Sequence, residues 1–179
     1  MKIVRRKSDK IVAFVFSNNE EIELSSSFKA GNLEVRDINS QTHEIIEGVP
    51  KPEQFFGSCM AYDDEWYIVN QKAYDKLYIE KLEIAKKDKC KQINDNTERK
   101  ILSVASRDAQ MNYHARFTYL KDEEESRKLR SEEISELQYI KEGWVRIKTL
   151  REQGNIKEIQ IQACTTIEEF EAKCLELGV

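Results

Sequence analysis

The residues of this sequence that could do chemistry are few and far apart. His43 and His114 have no nucleophile placed beside them in a catalytic pattern, and His114 lies among Asn112, Tyr113 and Arg116 as part of a polar helix surface. The four cysteines, Cys59, Cys90, Cys164 and Cys174, contain no C-x-x-C pair. That spacing predicts reduced, partly buried thiols; Cys164 and Cys174 are near enough in sequence for a bridge, which a reducing cytosol would oppose. Asp63, Asp64 and Glu65 could hold a divalent ion, but a hairpin tip collects acids for its own reasons. The sequence shows no glycine-rich phosphate loop, zinc spacing or nucleophile elbow. The expectation is a protein with no catalytic residues, no cofactor and no metal.

The elements that position these residues are set by one long stretch. From Ser58 to Glu142, 85 positions pass without a glycine or a proline. Both prolines, Pro50 and Pro52, stand just upstream, and Gly143 is the next glycine. Those two residue types are the strongest local breakers, so their absence permits very long helices. The fold class expected is α+β: a small antiparallel β-rich head over residues 1–69, then a long bundle-like or coiled-coil-like helical body over 70–179.

In the head, Lys2–Lys7 and Lys10–Phe16 read as two strands about the polar turn Ser8-Asp9, since IVAFVF is β-branched and aromatic. Ile22 and Leu24 alternate with glutamates, as in a strand with one wet face. A further strand is expected over Leu33–Ile38, with Leu33 and Val35 inward, and another over His43–Glu47. Val49-Pro50-Lys51-Pro52 is extended, because its prolines cannot donate to a ladder. CMAYDDEWYIV reads as a hairpin with an acidic tip. Tyr62, Trp66 and Tyr67 are read first as aromatics closing a small core; the sharper alternative makes Trp66 and Tyr67 a contact patch.

In the body, Asn70 is a plausible N-cap. Ala73, Tyr74, Leu77, Tyr78, Leu82, Ala85 and Ile93 recur at helical spacings and give an apolar stripe on a charged rod. A stripe of this kind needs cover from another helix of the chain or of a second copy. Ser106 and Asp108 predict a bend or fresh start near 106. Met111, Ala115, Tyr119, Phe117 and Leu120 resume the stripe. Residues 121–128 form a charge run expected to turn or fray. The next helix is expected from Leu129 to Gln153, with Leu137, Ile140, Trp144 and Ile147 stepping by three, four and three as a coiled-coil-like seam. Gly143 would admit close approach of another helix. Gly154-Asn155 is a candidate break, followed by a short helix through Ile156, Ile159, Ile161 and Ala163. Thr165-Thr166-Ile167-Glu168 fits a capping box opening a last helix to Leu177, stopped by Gly178. The expected interface residues are therefore Leu77, Leu82, Leu137, Ile140, Trp144 and Ile147, with Trp66 and Tyr67.

Composition bounds the function. With 40% hydrophobic and 35% charged residues, the balance suits slender helical proteins. Residues 1–70 carry 8 Lys/Arg against 12 Asp/Glu, whereas residues 71–179 carry 21 of each. Neither part has the basic excess that phosphate-backbone binding requires, so no nucleic-acid partner is expected. No apolar run approaches a membrane span and the start does not read as a signal peptide, which predicts a soluble chain made in a cytoplasm without a membrane partner.

Four segments carry a resemblance. MKIVRRKSDKIVAFVF is similar to the opening strands of a group of small tailed-bacteriophage proteins, some of them tail-fibre or tail-assembly components. THEIIEGVPKPEQFFGSCMAYDDEWYIVN resembles their Gly, aromatic, acidic-turn, Trp hairpin. NDNTERKILSVASRDAQMNYHARF resembles their Ile-Leu helix and Gln-x-Asn-x-x-Ala-Arg tail, with Ser106 in place of proline and Asp108 in place of tryptophan. WVRIKTLREQGNIKEIQIQACTTIEEFEA is similar to their closing helices. The resemblance implies a non-enzymatic virion structural protein of the tail, neck or fibre attachment, located in the virion. It would act as a homo-oligomer, with a trimer expected from threefold fibre parts, and dock other phage structural proteins. The alternative is an assembly chaperone not retained in the mature particle.

Overall fold

The computed structural model describes residues 1–179. The order is β1 (Lys2–Arg6), β2 (Val12–Phe16), β3 (Ile22–Leu24), β4 (Phe28–Ala30), β5 (Leu33–Val35), β6 (His43–Ile46), β7 (Met60–Asp63), β8 (Glu65–Ile68), α1 (Gln71–Val104), α2 (Arg107–Ser126), α3 (Ser131–Gln162) and α4 (Ile167–Leu177). The class is α+β. Two compact units, Met1–Lys81 and Leu82–Val179, divide the chain within α1.

In the first unit every strand pairing is antiparallel. One sheet runs β2-β1-β6, a second β3-β4-β5, and β7-β8 is a separate hairpin. Ile3, Val12 and Val49 form the core, with Met1, Val15, Ile46, Phe55, Tyr62 and Trp66 packed on it. Phe14 stacks on the fully buried Phe28 at 5.0 Å, joining the first two sheets. Three residues suffice for β4 because Phe28 anchors it; the sequence reading places no strand there, since the surrounding Ser and Gly-Asn signals leave so short a run. The strand expected over 33–38 ends at Val35, and Leu33 is exposed instead of inward. The β7–β8 tip is Asp64 at φ +65°, a left-handed position that aspartate tolerates. Phe56 meets Tyr74 edge-on, and Lys81 reaches Gln54, so the start of α1 belongs with this unit.

Asn70 accepts from the Ala73 backbone N–H and opens α1, and Ser106 accepts from that of Ala109 and opens α2. Residues 121–126 remain helical, against the expected turn: Lys121 pairs with Glu124, and Arg127 with Glu123, along the helix. The connection is confined to residues 127–130. There the Glu133 carboxylate accepts from both Arg127 Nη atoms at 2.8–2.9 Å, from Arg130 Nη2, and from the Arg130 backbone N–H. It thereby caps α3 and ties down the turn.

The expected break at Gly154 is absent, and one helix runs from Ser131 to Gln162. A Cβ at Gly154 would stand 2.7 Å from Thr97 Oγ1 and 3.2 Å from its Cγ2. Here glycine lets α1 and α3 approach, and the packing gained outweighs its helix penalty of about 1 kcal/mol. Gly143 acts likewise: its position leaves room for the Tyr113 ring of α2, which a Cβ would meet at 3.3 Å. The capping box sits one residue later than the sequence suggests: Thr166 accepts from the Glu169 N–H while Glu169 accepts from that of Thr166. Gly178, at φ +62°, ends α4.

Two measurements check these assignments. Gly154→Ala lowers stability by about 1–3 kcal/mol in denaturant unfolding, as overpacking does. In a Thr97→Ala background the same change is neutral or stabilising, because the clash is gone and helix propensity remains. The guanidinium groups of Arg127 and Arg130, with the Arg130 N–H, hold the Glu133 carboxyl well below the usual carboxylate range. A depressed folded-state pKa adds stability above the unfolded value that disappears as pH falls through the folded one. Thermal melts of Glu133→Gln therefore show a lower midpoint at pH 7, and the gap to wild type narrows below about pH 4.

Candidate docking surface

The inner face of α3 is used by the chain itself. Ile147 packs with Ile101 and Ala105, supported by Trp144, Tyr113, Val104, Ala109 and Leu150. Leu137 packs with Leu120 and Leu129. Ile140 and Leu82 are buried, and Trp144 is half-buried. The seam Leu137, Ile140, Trp144, Ile147 thus faces partners within the chain. In the first unit, Trp66 donates to the Pro50 carbonyl at 2.8 Å and its ring meets Phe55 and Tyr62. Tyr67 and Leu77 are exposed, as are Met111 and Tyr119, which the sequence reading turned inward.

What the sequence reading missed lies on the other side of α3. Ile134, Val145, Ile156 and Ile159 are 52%, 63%, 55% and 68% exposed. The first three are eleven residues apart, an interval just over three helical turns, so they share one face. Gln138, Lys141, Lys148, Glu152 and Ala163 fill the same face and are also exposed. A recess beside Val145 is walled by Gln138, Lys141, Glu142 and Arg146. Isolated exposed aliphatics need no explanation, whereas an aligned series on one helix is the form of a docking surface. The interval of eleven was visible in the sequence, but the assumed stop at Gly154 cut the stripe before its last two members.

The titratable groups are engaged elsewhere. Glu44, not the hairpin acids, gathers cations: Arg5 Nε donates to it at 2.9 Å and Lys10 Nζ at 3.4 Å. Arg5 also donates to the Tyr62 carbonyl and lies near Asp63. Burial and the nearby Arg6 push the His43 imidazole down. Arg116 grips Glu136 through two 2.9 Å hydrogen bonds between α2 and α3. All four cysteines are free thiols; Gln162 Nε2 donates to Cys90 Sγ at 3.2 Å, and burial pushes the Cys174 thiol up.

Comparison with known proteins finds no matching family, no matching curated protein and no matching solved structure.

The two faces of α3 respond differently to truncation. Ile140→Ala costs about 2–5 kcal/mol in chemical denaturation, as buried aliphatic deletions do. Val145→Ser, measured at high dilution, leaves stability within about 0.5 kcal/mol of wild type, as expected for a surface side chain.

Proposed function

We propose that this chain is a non-enzymatic structural component that works by self-association and by docking onto other proteins. The observation carrying this reading is the open aliphatic stripe Ile134–Val145–Ile156–Ile159, on a helix whose opposite face is already committed to the core. A surface of that kind binds; it has no groups that make or break bonds. The setting suggested by the resemblance of the opening, hairpin and closing segments is a tailed-phage particle, at the tail, neck or fibre attachment. The first unit offers Tyr67, Ile68 and Val69 as further exposed apolar side chains for a neighbour in such a particle.

Mass spectrometry of washed particles assembled in cells expressing the chain tests the proposal. Retention at a fixed stoichiometry supports a structural component, and Val145→Lys lowers the amount retained. Presence in assembly intermediates with loss from finished particles overturns it in favour of an assembly chaperone.

A further inference from the structure

The stripe on α3 carries a charge pattern that selects its occupant. At about 1.5 Å per residue, Ile134 to Ile159 spans about 38 Å. Lys141, Lys148 and Glu152 interrupt the aliphatic positions on this face. Lys148 already reaches Glu152 at 3.8 Å, whereas Lys141 makes no close ion pair and only helps to hold the Glu124 carboxyl down through space.

Two copies laid parallel and in register would set Lys141 beside Lys141 and Glu152 beside Glu152, which is unfavourable between facing helices. An antiparallel pair behaves differently. With the twofold axis between Arg146 and Ile147, Ile134 of one copy stands opposite Ile159 of the other. The two Val145 side chains flank the axis about 4.5 Å apart along the helices, each opposite Lys148 of the other copy, and Gln138 lies beside Asn155 and Ile156. Lys141 of each copy then stands opposite Glu152 of the other, on the same flank of the helix pair. The recess beside Val145 presents Lys141 at the height where that carboxylate arrives, with Glu142 and Arg146 also on its wall.

We infer that a second copy of this chain covers the stripe, its α3 antiparallel to the first, with Ile134 opposite Ile159 and Lys141 opposite Glu152. This rests on the docking role proposed above and names the occupant of that surface. A single helix pair is a small interface, so the dimer dissociates on dilution. The arrangement is twofold, in place of the trimer that the sequence reading expects.

Sedimentation velocity of the full chain over a range of concentrations tests this. The expected result is a reversible monomer–dimer equilibrium that Val145→Lys shifts to monomer, with circular dichroism unchanged. Lys141→Glu weakens the dimer by at least about tenfold, and Lys141→Glu combined with Glu152→Lys recovers most of the loss. A wild-type chain that stays monomeric at high concentration overturns the inference, as does a trimer. So does a dimer indifferent to Val145→Lys, and a double variant no better than Lys141→Glu overturns the antiparallel register. Particle retention of Val145→Lys is read separately: a monomeric wild type whose incorporation still depends on Val145 removes the second copy but leaves the docking role standing.

Discussion

The second unit depends on how closely α1 and α2 can approach the inner face of α3. Two glycines set that distance, Gly143 under the Tyr113 ring and Gly154 under Thr97. Between them lies Ile147, fully buried against Ile101 and Ala105. Helices usually pack with their axes about 8–10 Å apart, according to the side chains in contact. A missing Cβ on either side of Ile147 favours the near end of that range. The wider side chains Trp144, Tyr113 and Leu150 then fill the margins. The inner faces are covered in this way, while Met111, Tyr139, Val145 and Ile159 stay exposed on the outer ones.

Electrostatics finishes what packing begins. The turn between α2 and α3 is only four residues long, and Glu133 holds it through two arginines and a backbone N–H. A buried carboxylate is tolerated because its oxygens are so fully engaged. The neighbouring Arg116–Glu136 pair repeats the theme on the surface, where solvent weakens it. Elsewhere in this unit the ion pairs are mostly local along single helices, such as Lys121–Glu124 and Lys173–Glu176. They solubilise the helices more than they hold them together.

Much of the fold was legible in the sequence. The β-branched runs at 2–6 and 12–16, the caps at Asn70 and Ser106, and the C-terminal Gly178 follow from local rules that tertiary contacts did not override. The seam at Leu137, Ile140, Trp144 and Ile147 was legible as apolar, but periodicity cannot say whose helix covers it. Gly154 misled because propensity weighs a residue by itself, while its value here lies in what Thr97 does across the contact. Phe28 was missed for the opposite reason: a three-residue strand has almost no pattern, and its burial comes from Phe14 on another sheet. The exposed stripe became visible only when the helix was known to continue past 154.

The two faces of α3 obey different periods. The inner residues advance by three and four, which averages near 3.5 per turn, while Ile134, Val145 and Ile156 advance by eleven, close to 3.67 per turn. A helix rotated so that the wrong side met α1 and α2 would bring successive side chains progressively out of alignment. Mispaired arrangements would therefore be penalised over their length and not just at one contact. The mismatch in rhythm makes the two greasy sides of one rod unequal, so the grooves that fit one side do not fit the other along its length.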